Sequence, residues 1–171
     1  MKTWLAVMAG LALGAASAGA ERGAALIKGT SEGSGISGTV SFEDTKKGLK
    51  IAARLSGVPA GEHGFHVHEF GSCEDGGKAA GSHYNPLSSI HGHAVKDGLK
   101  KAHAGDLGNI AVGADGKAFL DMVLPKVSLT GGRHSVAGRA VILHEKADDF
   151  GQPVGNAGGR IACGVVVIVP Q

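Results

Sequence analysis

Beyond residue 20 the apolar positions tend to recur every second residue, and helical spacing is hard to find. Ile36-Ser37-Gly38-Thr39-Val40-Ser41-Phe42 alternates, and so does Leu49-Lys50-Ile51-Ala52-Ala53-Arg54-Leu55. Alternation of this kind buries one face of a strand and leaves the other in water. Asp115-Gly116 sits between Ile110–Val112 and Ala118–Val123, which reads as a hairpin. Ala140–His144 and Ile161–Val169 are further apolar strands, and the second, nearly continuous in Val and Ile, is expected to be well buried. The count comes to about eight strands, at the turn spacing of an all-β sandwich or barrel.

Two stretches break the rhythm. Glu69 to Asp106 is rich in Gly, His, Lys and Ser without a convincing strand, and Glu145 to Gly159 is irregular. A loop as long as the first belongs in a compact domain only if something ties it down.

Residues 1–20 read as a secretory signal peptide: Lys2 is the basic start, Thr3–Ala16 the apolar run, and cleavage is expected after Ala20. The run is too short for a comfortable membrane span of roughly 20 residues, although an uncleaved anchor is the alternative. Residues 21–171 then form one mature domain. Export favours disulfides, and Cys73 and Cys163 allow one pairing, unless they are two unrelated buried thiols. Seventeen Lys+Arg against fifteen Asp+Glu leave a net charge of +2. That gives no bulk field for nucleic acid or for stable membrane association. Thirty glycines in 171 residues, with no collagen-like period, suit a turn-rich β protein.

Nine histidines carry the chemistry. His66 and His68 flank Val67, so a strand would put both imidazoles on one face and Phe65 and Val67 on the other. His83, His91, His103 and Asp106 follow as H-x7-H-x11-H-x2-D, a donor set that fits a tetrahedral zinc site. His144 ends an apolar strand. Two four-coordinate metals need eight donors and seven are present, so one ligand must serve both; a doubly deprotonated imidazole can. His93 lies two residues after His91 and competes with it for the zinc role. His63 reads as a structural hydrogen-bonding group, and His134 as a loop residue.

The chain resembles the copper/zinc superoxide dismutases of the exported bacterial kind. The resemblance rests on Gly64-Phe65-His66-Val67-His68-Glu69-Phe70-Gly71, His83-Tyr84-Asn85-Pro86-Leu87 and His103-Ala104-Gly105-Asp106-Leu107-Gly108-Asn109. It rests equally on His144-Glu145-Lys146-Ala147-Asp148-Asp149 and Gly155–Val165. It implies an eight-stranded Greek-key flattened barrel with two long functional loops. It implies one copper on His66, His68, His83 and His144, and one zinc on His83, His91, His103 and Asp106. Asp148 would join His66 to His91, Arg160 would attract the substrate anion, and Cys73 and Cys163 would form a disulfide. The implied activity is the disproportionation of superoxide to O₂ and hydrogen peroxide by one-electron cycling of copper bridged through His83 to a structural zinc. The periplasm is the implied compartment, and the chain a monomer or homodimer. The segment between Asp149 and Arg160 lacks the acidic and lysine residues that guide substrate in animal members, so Lys96, Lys100, Lys101 and Lys146 are the candidates for steering. Three rivals stand beside this reading: an exported copper/zinc buffer on the same fold without turnover, a copper-only enzyme, and a metal-free adhesive sandwich.

Overall fold

The computed structural model describes residues 20–170; the expected signal segment, Ala20 apart, lies outside them. The strands are β1 (Arg22–Gly29), β2 (Ser37–Thr45), β3 (Gly48–Ser56), β4 (Gly61–His68), β5 (Asp106–Val112), β6 (Ala118–Leu124), β7 (Ala140–His144), β8 (Arg160–Val165) and β9 (Val167–Val169). They run β2-β3-β6-β5-β4-β7-β8-β1, and β1 pairs back onto β2, so the sheet closes into an antiparallel barrel. β8 and β9 both pair with β1 and are one strand interrupted at Val166, which gives the eight strands expected. Closure removes the open edges through which sheets aggregate.

Alternation decides what faces inward. Val40 and Phe42 on β2, Leu49, Ile51, Ala53 and Leu55 on β3, and Phe65 and Val67 on β4 are all buried in one core. The β1 strand carries no strong pattern because its inward residues are Gly23, Ala25 and Ile27, two of them small.

The end of the chain departs from expectation. Val167 and Ile168 are 54% and 57% exposed, not buried. Val166 turns aside to bond the loop before β7, accepting from the Gly138 amide and donating to the Arg139 carbonyl, both at 2.8 Å. Beyond it the short strand β9 does not alternate, and Val167 and Ile168 both stay in solvent.

The long segment after β4 holds only a 3-10 turn (Asp75–Ala80) and a four-residue helix (Ala94–Asp97). It is tied to the barrel by a disulfide from Cys73 to Cys163 on β8, with Cα atoms 5.7 Å apart. Register slips occur on β4 between Gly64 and His66 and on β7 between Leu143 and His144. Bulges re-aim side chains, and both lie where the histidines leave the sheet.

Candidate metal centre

β4 presents His66 and His68 on the side opposite Phe65 and Val67, outside the barrel core and under the two long loops. The neighbouring strand β7 ends on His144, and β5 begins on Asp106. The segment after β4 returns over them with His83, His91 and His103. Two donor groups result, His66, His68, His83 and His144 in one and His83, His91, His103 and Asp106 in the other. Within each, one donor atom per residue lies within 4.8 Å of the others, and all seven residues are buried. His83 belongs to both. His93 belongs to neither, its ring stacking near Phe150 at 6.2 Å.

The protein's own hydrogen bonds leave one nitrogen per ring for a metal. His68 Nδ1 donates to the Gly81 carbonyl at 3.0 Å and His144 Nδ1 to the Gly158 carbonyl at 3.3 Å, so the two Nε2 atoms, 3.4 Å apart, face each other as proton-free lone pairs. His66 reverses the pattern: Nε2 donates to Asp148 Oδ2 at 2.9 Å, and Nδ1 is buried without a partner. His83 turns Nδ1 toward Asp106 Oδ1 at 2.8 Å, in the second group, leaving Nε2 for the first. His91 Nδ1 lies 2.9 Å from Asp106 Oδ2 yet lacks hydrogen-bond geometry, as expected of two ligands aimed at a common ion rather than at each other. Orphaned buried nitrogens are costly unless something binds them. The first donor set, all imidazole, suits copper; the second, three imidazoles and a carboxylate, suits zinc.

Asp148 spans the groups, accepting from His66 and also from His91 Nε2 at 2.9 Å. Gly155 makes this approach possible: it has φ +72°, and a Cβ there would fall 2.1 Å from Asp148 Oδ1. Two amide side chains to which the sequence alone gave no role, Asn109 at the end of a matching block and Gln152 outside any, fix this link. Asn109 bonds both the amide and the carbonyl of Asp148, at 2.7 and 2.9 Å. Gln152 does the same for His91, its Oε1 accepting at 3.0 Å and its Nε2 donating at 2.8 Å. No sequence signal marks Gln152, since the pairing joins two loops. Partners outside the ligand set commonly hold 10–100-fold in metal affinity. Gln152→Leu is therefore expected to release zinc at least about tenfold faster while copper release stays unchanged, read by transfer to a colorimetric chelator. Equal loss of both metals would mean general loosening instead. His63 belongs to neither donor group: its ring lies between the carbonyls of His144 and Pro59, at 2.8 and 2.9 Å.

Without metal, burial and then the neighbouring His83 ring hold His68 down to about 2. Burial and His66 hold His144 to about 3, and burial, opposed by Asp106, holds His83 to about 4. Three neutral imidazoles therefore stand ready at neutral pH, as metal binding requires. For His91 burial works downward, but the adjacent Asp106 and Asp148 carboxylates, the second of them hydrogen-bonded, win and raise it to about 9. Asp106 is held well below the carboxylate range by His103, His83 and His91, against the effect of burial.

These shifts set the pH dependence of the metal-free chain. An unfolded histidine titrates near 6.5. Below that value unfolding takes up protons at His68, His83 and His144, so stability falls with pH down to roughly pH 4, by up to about 1.4 kcal/mol per unit for each group. His91 has the opposite sign: its contribution is complete below 6.5 and disappears as pH rises through about 9. The urea midpoint of the metal-free protein is expected to drop between pH 6.5 and about 4; a flat profile would contradict these protonation states.

His68, His83, His144 and Arg160 line one small cleft of about 190 Å³. That volume admits a diatomic anion with several waters and falls short of an ordinary small-molecule pocket. Arg160 is anchored by bonds from Nη1 to the Gly77 carbonyl and from Nη2 to the Gly81 carbonyl, the latter at 2.6 Å. Of the four lysines considered for steering, none lines the cleft. Only Lys146 reaches its rim, beside Gly158.

The sequence model of the copper/zinc superoxide dismutase (SODC) family matches residues 36–166. An extracellular superoxide dismutase [Cu-Zn] of Brugia pahangi is 40% identical over 148 residues, covering 81% of this chain and 72% of the relative. A solved structure titled as the clock protein EA4 superposes with a TM-score of 0.76 at 40% identity, over 86% of this chain and 94% of the other.

Proposed function

The chain belongs to the copper/zinc superoxide dismutase family, and from that premise we propose the residue roles by which it disproportionates superoxide. Copper would be held by His66, His68, His83 and His144, and zinc by His83, His91, His103 and Asp106. The membership of His83 in both donor groups carries this reading.

When bound, copper supplies reversible one-electron exchange, and zinc, which has none, holds the bridging ring. The chain's own residues do the rest. Arg160 offers a permanent cation at the cleft, where focused positive potential raises encounter rates. His83 Nε2, when not engaged by metal, holds a proton within the cleft and delivers it to the reduced substrate. Two superoxide ions and two protons thus give one O₂ and one hydrogen peroxide, with the second proton from solvent. Asp148, held by Asn109, keeps His66 and His91 in orientation. The anchored Arg160, which a metal buffer has no use for, favours turnover over storage.

Export agrees with the disulfide and with the extracellular relative. The finer reading is cleavage after Ala20, a mature domain from Glu21, and residence in the periplasm. Purified protein is expected to contain one copper and one zinc per chain, and to suppress superoxide-driven dye reduction only when copper is present. Copper without zinc, or metals without activity, would overturn the roles given to His83 and Arg160.

A further inference from the structure

We propose that the groove between the β2–β3 turn and the loop after β6 is a docking site for an anionic polysaccharide. The groove encloses about 510 Å³, and Lys46, Lys47, Lys126, Arg133 and His134 line it without a single carboxylate. The four lysine and arginine side chains are exposed, and among the described residues none has an ion-pair partner. Four other surface cations are paired, Arg22 with Glu43, Lys50 with Asp121, Lys78 with Asp75 and Lys117 with Asp115. Lys28, Lys96, Lys100, Lys101 and Lys146 also lack an ion pair among the described residues, and it is the gathering of four such charges around one concavity that marks the groove. Two acids near this loop are engaged elsewhere. Asp44 accepts from the Leu129 amide at 2.8 Å, and Glu21 accepts from the Thr130 hydroxyl. His134 Nδ1 donates to the Lys126 carbonyl at 3.0 Å, and its Nε2 is buried without a hydrogen-bond partner.

Four like charges around one concavity repel each other, and that repulsion is relieved when a polyanion enters. The shape and lining select among polyanions. No Phe, Tyr or Trp ring lines the groove, so it lacks the broad stacking platform that nucleobases take. The cations surround a concavity rather than a flat face with projecting apolar side chains, which is the wrong form for a bilayer surface. A linear glycan bearing acidic groups fits, and it is a partner that a chain read as exported would meet. The groove shares no lining residue with the copper cleft, so docking leaves the active site open.

The test uses the full metallated chain and fluorescent dextran sulfate. Binding is expected at about 50 mM salt and to weaken by roughly tenfold or more at about 200 mM, as counterion release requires. The triple variant Lys47→Gln, Lys126→Gln, Arg133→Gln is expected to lose at least tenfold in affinity with dismutase activity unchanged. The triple Lys96→Gln, Lys100→Gln, Lys101→Gln removes the same net charge and is expected to bind within twofold of the unmodified chain. Equal losses in both triples, or no loss in the first, would overturn the site. Tighter binding to phosphatidylglycerol vesicles or to oligothymidylate than to dextran sulfate would overturn the choice of partner.

Discussion

Arg160→Ala is expected to lower kcat/KM for superoxide by roughly tenfold to a hundredfold while copper and zinc stay bound. The guanidinium lines the cleft with three of the histidines but belongs to neither donor group, so its removal leaves the metal ligands untouched. What goes is a fixed positive charge at the mouth of a small cavity, together with an anion-binding donor. Superoxide dismutases are themselves a standard illustration of electrostatic steering, so the size given is the general range for steered encounters. Arg160→Lys should recover only part of the rate. An ammonium keeps the charge but not the planar fork that bonds the Gly77 and Gly81 carbonyls. Rate measurements across ionic strength check this, because the salt dependence should weaken along with the rate. A variant with unchanged rate and salt dependence would remove Arg160 from the mechanism.

Loss of the disulfide is the second large effect. Cys73 and Cys163 are 90 residues apart, and a closed loop of that size restricts the unfolded chain by roughly 4–5 kcal/mol on the chain-entropy model. The double variant Cys73→Ser, Cys163→Ser is therefore expected to unfold at a much lower urea concentration. Activity should fall as well, for a local reason. The segment that starts at Cys73 supplies the Gly77 and Gly81 carbonyls that hold Arg160, and the Gly81 carbonyl also orients His68. Unfolding curves and rates on fully metallated protein separate the two consequences. Unchanged stability would show that the loop is held mainly by its hydrogen bonds.

The sequence revealed the parts of this arrangement that depend on local spacing. Two-residue alternation placed β2 and β3, and the same periodicity put His66 and His68 on one face against Phe65 and Val67. The donor count required a shared ligand before any fold was known. What stayed hidden depends on contacts distant in the chain. The β1 strand gave no signal because small residues fill its inward positions. The Ile161–Val169 run suggested burial, yet a single turned residue, Val166, leaves Val167 and Ile168 in solvent. On paper only the family's offset from His83 favoured His91 over His93; in the fold Asp106 and Asp148 both reach His91, and neither bonds His93. Gln152 looks ordinary in sequence and Asn109 closes a matching block without an assigned role; they matter because their amides meet backbone brought in from 61 and 39 residues away.

The central claim is that one imidazole, His83, joins a redox-active ion to an inert one. Diffraction from crystals of the metallated protein, recorded on both sides of the copper and zinc absorption edges, tests it most directly. The expected map has a copper peak at His66, His68 and His144, a zinc peak at His91, His103 and Asp106, and the His83 ring between them with one nitrogen on each. Two peaks with no ring in common, or a single metal species filling both positions in active protein, would contradict it.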